Sequence, residues 1–425
     1  MNEHLVIGTW NRGGIDLPLL LSQADRRQNL YVVGKSGTGK STLIENLAVQ
    51  DIQAGRGIAF VDPHGGSARN LLDYVPPDRV ADVVYFDPSD EDHAVGFNLL
   101  ANVPRKRRHL VASGVVGALR GIWPDSWGPR LEYILYAAVA ALLDCENVSL
   151  MGVPRMLADE AYRWWVVKQV KDPMVRFFWE NEFARYDKRF VQEAIAPIQN
   201  KVGQLFMAPE LRNILGQVKS RFDVRSLMDN GKIFIANLSK GKIGEDKANF
   251  IGSLLITQFQ LAAMSRADVP ESERHDFHLY VDEVHSFVSE AFVPLLSEAR
   301  KYRLTLTLAH QYLSQLKPTI HDAIIGNVGS MIAFRVGHKD AEILEKAFGI
   351  SYASGFLTSL DNGQVVAKIL SDGKDMEAAL ARTLMPQGTW HGRGERIIRR
   401  SRQEHSVGKE VIERKVEAWL RASRP

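Results

Sequence analysis

The chain has 425 residues, 45% of them hydrophobic and 24% charged, with a formal net charge of +3. These values mark an ordinary soluble globular protein with room for a large core and two domains, and so small a net charge does not by itself announce a nucleic-acid binder. The single cysteine, Cys145, excludes an intrachain disulfide framework and a cysteine-built metal centre, and fits a reducing, cytoplasmic setting.

The N-terminus carries Glu3, His4 and Asn11 and no long apolar block, so no signal peptide is expected. Residues 5–8 predict a strand, followed by a turn at Gly13-Gly14. Residues 30–33 (LYVV) predict a short buried strand, and residues 41–48 (STLIENLA) the opening of a helix. Between them runs Gly34-Lys35-Ser36-Gly37-Thr38-Gly39-Lys40-Ser41, a full G-x-x-x-x-G-K-[ST] pattern followed by Thr42. A glycine-rich turn lets backbone N–H groups face an anion, and the helix that follows adds the positive end of its dipole. ATP with Mg²⁺ is the expected ligand, with Lys40 reaching the β- and γ-phosphates and the Ser41 hydroxyl on the metal.

Residues 57–62 predict a second strand, ending in Asp62-Pro63-His64-Gly65-Gly66. Ligands gather at the carboxyl ends of parallel strands. Asp62 and His64 therefore either lie beside the phosphates or serve only the turn and the cap of the next helix. Residues 83–87 predict a third strand. From about residue 104 to 225 the apolar spacing shifts to three and four, over 131–142, 153–164, 174–183 and 191–206, which predicts helices. Residues 101–225 are thus expected as an all-helical insertion in a nucleotide-binding domain made of 1–100 and 226–390, with 391–425 a basic tail and helix. Trp123, Trp127, Trp164, Trp165 and Trp179 of the insertion are expected to pack between helices rather than stack on bases. The most apolar run, residues 134–143, is far shorter than the roughly 20 residues of a membrane span, so no integral membrane segment is expected.

Strand character returns at residues 232–238, then a polar basic loop at 239–246 and a helix over 250–266. Residues 277–281 (FHLYV) predict a strand that ends in Asp282-Glu283. A helix is expected around residues 291–302, a strand over 304–309 that ends at His310-Gln311, and another strand over 331–336. Residues 365–370 and 378–384 predict a closing antiparallel pair with Gly373 in the turn. A Gly/Arg-rich stretch, 391–402, leads to a final helix over 406–421. The fold class is α/β with a mainly parallel sheet.

Hydrolysis needs more than a P-loop: an acid on the metal side and a group that places water. Asp282, delivered to the carboxyl edge of the sheet, is expected to hold Mg²⁺ through water, and Glu283 to polarise the attacking water. Such a pair also suits a plain helix N-terminus, but beside a full P-loop it forms an ATPase acid constellation. Gln311 is expected to sense the γ-phosphate, ahead of His310. Positive charge on the transferring phosphoryl group is expected from an arginine of a neighbouring subunit, Arg300 first, then Arg335 and Arg303, each of which equally suits a solvated surface. Basic clusters at Arg105-Lys106-Arg107-Arg108, at Lys240 and Lys242, and at Arg393, Arg396, Arg399, Arg400 and Arg402 suit either a nucleic-acid backbone or a solvated face.

Taken together, GKSGTGKST, FVDPHGG, Phe97-Asn98-Leu99-Leu100, LYVDEVHSF, SEARKYRLTLTLAHQYLSQL and GNVGSMIAFRVGHKDAE resemble the FtsK–HerA superfamily of P-loop translocases over about residues 5–385. Within it the likeness is to soluble relatives of type IV secretion coupling proteins, the conjugative DNA-transfer ATPases. The resemblance implies a RecA-like motor domain carrying an all-helical domain, a ring that is usually a hexamer, and DNA driven through its channel by ATP. It maps the P-loop to residues 34–42, the acidic pair to Asp282-Glu283, the sensor to Gln311 and the arginine-finger region to residues 300–303. It departs from the pattern in having no N-terminal membrane helices, no room for a β-barrel in 28 residues, a second glycine (Gly66) where an acid often stands, and no proline after Asn98. These departures bear on a secretion role and not on ATP hydrolysis. Expected partners are DNA, further copies of the chain, and a nuclease, relaxase or secretion channel. The rival functions are a motor acting on a protein partner in a secretion or antiphage apparatus, and an ATP-gated scaffold with little turnover.

Overall fold

Short runs of Val, Ile, Leu and Phe, buried on both faces, become the strands of a parallel sheet, because such a sheet is covered on both sides and leaves no polar face to alternate with. The computed structural model describes residues 3–288, 292–349 and 355–422. Among the described residues the main sheet has eleven strands: β1 (His4–Arg12), β2 (Ile15–Ser22), β3 (Leu30–Val33), β4 (Gly57–Asp62), β5 (Val83–Phe86), β6 (Ile233–Asn237), β7 (Phe277–Val281), β8 (Leu304–His310), β9 (Ser330–Ala333), β10 (Gln364–Lys368) and β11 (Ala379–Thr383). Their spatial order is β2-β1-β11-β10-β9-β3-β8-β7-β4-β6-β5. From β9 to β5 every pairing is parallel. The other four strands form an antiparallel margin.

The register places the strand ends that matter side by side. Val33 lies opposite His310 and Ala333, and Val281 lies opposite both Leu308 and Val61. All residues of β3, β4, β6, β7 and β8 are buried. The helix after β3, Lys40–Gln53, covers one face of the sheet and buries Leu43, Ile44, Leu47, Ala48 and Ile52.

Under that helix lies a buried ionic cluster. Arg26 forks onto Asp51 at 2.8 and 2.7 Å, Tyr280 donates to Asp51 Oδ2 at 2.6 Å, and Arg56 donates to Oδ1 at 2.9 Å. Burial alone would push the Asp51 carboxyl up, but the Arg26 guanidinium outweighs it and holds the group below the usual carboxylate range.

The chain divides into two compact units. One holds Met1–Phe86, Val224–Leu238 and Ala262–Arg400 with the sheet; the other holds Asp87–Asp223, Ser239–Leu261 and Ser401–Pro425. The second unit is built of helices, among them Arg108–Ile122, Pro129–Leu142, Lys188–Ile198 and Glu245–Ser265 in part, plus a two-stranded pair of His93–Val95 with Ser406–Gly408. Its apolar centre is lined by Val115, Leu135, Val139, Val153, Phe206 and Phe250. Trp179 is fully buried there and donates to the Ala137 carbonyl at 3.2 Å, while Trp164 is 37% exposed. No helix among the described residues is long and apolar enough to cross a membrane.

Several local expectations change. The N-terminal strand runs to nine residues and turns at Gly13-Gly14 into a full hairpin, because both glycines take positive φ (62° and 86°). The expected loop at 239–246 is helical at Lys240–Ile243, and Glu245 already opens the long helix. The Gly/Arg-rich stretch forms a helix, Gly394–His405, with Ile397 and Ile398 buried beneath its arginines, and residues 406–408 are strand before the last helix, Lys409–Arg421. The turn at Gly373 carries its own small hairpin. Of the helix expected at 291–302, residue 291 lies outside the described residues; Val293–Glu298 is helical and tightens over Ala299–Tyr302.

Candidate functional site

The strand order gathers the candidate residues along one edge of the sheet. At the carboxyl ends of β9, β3, β8, β7 and β4, in that order, stand Arg335, the P-loop, Gln311, the Asp282-Glu283 pair and Asp62. This is the edge where an open parallel sheet binds ligands.

The P-loop conformation follows from its glycines and its neighbours. A Cβ on Gly34 would stand 2.5 Å from the Phe334 Cβ, so only glycine fits where β3 leaves the sheet. Gly39 takes φ 117° as the chain enters the helix that begins at Lys40. The loop is pinned from outside: Lys35 N donates to the Arg335 carbonyl at 2.8 Å, and Gly363 N donates to the Thr38 carbonyl at 3.0 Å. Thr38 is buried and its hydroxyl donates to the Lys35 carbonyl at 2.7 Å, while Lys35, Ser36, Gly37 and Ser41 are exposed at the site's surface. Gly39 and Thr42 are partly buried.

Lys40 is buried and donates from Nζ to the Lys35 carbonyl at 3.1 Å. Burial lowers its pKa, and the nearby Glu283 and Asp282 carboxylates pull it back up. The Ser41 hydroxyl donates to Asp282 Oδ2 at 2.8 Å, so the P-loop and the acidic pair meet directly. Burial raises the Asp282 carboxyl to about 6, assisted by the charges of Glu283 and Asp62 and opposed by the Ser41 hydrogen bond.

Glu283 has φ 47°, an uncommon conformation for a residue with a side chain, and the turn it makes carries its carboxylate back toward Lys40. Gln311 Nε2 donates to Glu283 Oε1 at 2.9 Å. Glu283 Oε2 is buried and accepts no hydrogen bond from the described residues. His310 lies inside the sheet instead, with its Nδ1 3.2 Å from the Tyr31 hydroxyl, and burial lowers its pKa to about 3, so it is neutral.

Asp62 stands at the same edge, but its carboxylate is taken up locally: Oδ1 accepts from His64 N at 2.8 Å and Oδ2 from Ala68 N at 2.9 Å, closing the turn onto the helix Gly66–Leu72. The His64 side chain is exposed.

The arginines separate. Arg335 is at the P-loop edge and donates to the Leu360 carbonyl at 3.3 Å and to Asn362 Oδ1 at 3.2 Å. Arg300 and Arg303 precede β8 and so sit at the opposite edge, about 20 Å away across seven residues of strand. Arg303 is engaged by Glu271 at 3.6 Å and Asp276 at 3.8 Å, whereas the Arg300 side chain is exposed. Among the basic residues of the second unit, Arg108 pairs with Asp144; Arg105, Lys106 and Lys242 are exposed, and Arg107 and Lys240 are partly buried.

Two residues of this site carry no motif. His285 and Gln315 lie within the quoted stretches VDEVHSF and HQYLSQL and touch Glu283 and Gln311 respectively.

No protein-family model and no curated protein matches the sequence. Solved structures do match in fold. The bacterial conjugative coupling protein TrwBdeltaN70 aligns over 91% of this chain and 91% of its own, with 14% identity and a TM-score of 0.62. The plasmid coupling protein TrwB in complex with ADP and Mg²⁺ aligns over 92% and 93%, again with 14% identity and a TM-score of 0.62. VirB4 of Thermoanaerobacter pseudethanolicus aligns over 90% and 97%, with 14% identity and a TM-score of 0.55. The chain thus has the RecA-like P-loop ATPase fold of TrwB and VirB4, over nearly its whole length.

Proposed function

We propose that the protein is an Mg²⁺-dependent ATPase that assembles as a ring, usually of six copies, and moves DNA in the manner of the conjugative coupling proteins. The observation that carries the chemistry is the meeting of Ser41, Asp282, Glu283 and Gln311 around the end of the P-loop. A fold shared with TrwB, which has been solved with ADP and Mg²⁺, supports the choice of ligand. The donor set fits the metal: a hydroxyl and a carboxylate are the hard oxygen ligands that Mg²⁺ takes, and the raised pKa of Asp282 reports a buried site that a cation would relieve. When bound, Mg²⁺ supplies positive charge against the phosphate oxygens.

Lys40 leaves the Lys35 carbonyl for the phosphates, and the P-loop N–H groups hold their oxygens. Glu283 accepts the proton of the attacking water, and Gln311, which holds Oε1 before nucleotide binds, turns to the γ-phosphate. Arg300, exposed and unengaged by acids among the described residues, is the better candidate for an arginine given to the neighbouring subunit; Arg303 is tied to Glu271 and Asp276. DNA contacts are proposed at Lys240, Lys242, Arg105 and Lys106, with Arg107 and Arg108 behind them.

The test is steady-state ATP hydrolysis with and without double- and single-stranded DNA at low and moderate salt, with Lys40→Ala as the blank. A several-fold stimulation that fades as salt rises is expected of a motor that grips phosphates. Hydrolysis indifferent to DNA would sink the DNA assignment, and no hydrolysis would sink the ATPase.

A pH effect follows from Asp282. Folded and nucleotide-free, the protein holds this proton more tightly than the unfolded chain does, so its stability falls as pH rises from the ordinary carboxylate range to about 6, and then levels. Binding of Mg²⁺ and nucleotide needs the ionised form. Affinity for Mg·ADP should therefore be about tenfold weaker at pH 5 than at pH 7. Asp282→Asn, titrated with a fluorescent ADP, should flatten that dependence; an equally steep curve would show that the proton sits elsewhere.

A further inference from the structure

Beyond Gln311, the Glu283 carboxylate is faced by His285, which Gln315 contacts in turn, and no step above uses either side chain. Gln315 Oε1 accepts two backbone N–H groups, from Gln311 at 3.2 Å and from Tyr312 at 3.1 Å. Those two donors fix which end of the amide is which, so the Gln315 NH₂ must face the other way, where it meets His285 Nε2 at 3.2 Å. An amide N–H pointing at Nε2 makes that nitrogen the acceptor and leaves the proton on Nδ1. Nδ1 faces Glu283 Oε2 at 3.4 Å, longer than a hydrogen bond and within reach of one. The contacts close a ring: Glu283, Gln311, Gln315, His285 and back to Glu283.

We infer that His285 and Gln315 are positioning residues that hold Glu283 for water activation and tie its carboxylate to the backbone of the γ-phosphate sensor. When Gln311 turns to the phosphate and gives up Oε1, His285 keeps the carboxylate aimed through Oε2. The ring spans the ends of β7 and β8, so a shift of either strand end is felt at the base. This rests on the ATPase reading above, in which Glu283 is the base.

The experiment compares His285→Ala, Gln315→Ala, their double variant and His285→Asn with the full chain, by kcat and KM for ATP and by titration with a fluorescent ATP analogue. A misplaced base is expected to lower kcat by about 10–100-fold in each single variant, with KM and nucleotide affinity unchanged. The double variant should be no worse than the poorer single one, because either change opens the same ring. Asn at 285 places an amide N–H near the position of Nδ1 and should recover part of the loss, and it carries the test if the alanine variant does not fold. Wild-type kcat in His285→Ala and Gln315→Ala, losses that add, or kcat and affinity falling together would overturn the inference. Glu283→Gln separates the two levels. If it is dead while His285→Ala is fully active, the ring alone fails; if it turns over at the wild-type rate, the base assignment fails and takes the ring with it.

Discussion

Glu283→Gln is expected to bind ATP and leave it uncleaved. The amide keeps the size of the carboxylate and an oxygen that can accept from Gln311 Nε2, so the site keeps its shape. It loses the carboxylate proposed to take the water proton, and general-base catalysis contributes about 10²–10⁴-fold. We therefore expect kcat to fall by about that factor, with nucleotide affinity at or above the wild-type value. Phosphate release in the steady state, alongside titration with a fluorescent ATP analogue, reads both quantities. Glutamine also removes a negative charge that would repel the phosphate oxygens, so tighter phosphate binding is the expected direction of any change in affinity. Turnover at the wild-type rate would assign the base to another residue.

Asp51→Ala is expected to be the most damaging single change outside the site. Asp51 is fully buried and balances Arg26, which is 3% exposed, along with Arg56. Removing the carboxylate leaves a buried guanidinium without its counter-charge, a loss of about 3–5 kcal/mol. It also strands the Tyr280 hydroxyl, which donates to Asp51 Oδ2. Replacing both partners together, Arg26→Met with Asp51→Leu, should restore much of the stability, because a buried ion pair gains little over well-packed apolar groups. Chemical denaturation of the three proteins tests this. An Asp51→Ala chain as stable as wild type would mean that water reaches the cluster.

The site was legible where chemistry is local in sequence. The P-loop is eight consecutive residues between an apolar strand and a helix, and Asp282-Glu283 ends a strand of five apolar or aromatic-rich positions, so both could be set at the sheet edge from the chain alone. Gln311 followed from the same rule at the end of β8. What could not be read was the pairing of side chains across strands. Whether His285 reaches Glu283 depends on the φ of Glu283, and whether Gln315 reaches His285 depends on two backbone N–H groups that fix its amide. Neither has a spacing signature. The loop expected at 239–246 failed for a different reason: two glycines and four charges read as irregular, but Gly244 at φ 91° closes one helical turn and lets the next helix start at Glu245. The arginine-rich tail concealed a helix because only Ile397 and Ile398 mark its buried face.

One feature of the sheet bears on how the protein is made. β3 carries the P-loop near the start of the chain, yet the strands on its two sides are β8 and β9, which begin at residues 304 and 330. The bonds that pin the loop come from Arg335 and Gly363. During synthesis the first strand of the site therefore emerges with no partner and waits for most of the chain. The strand that carries the P-loop therefore gains its two sheet neighbours only after residue 333 has been made, and the last bond that pins the loop only after residue 363.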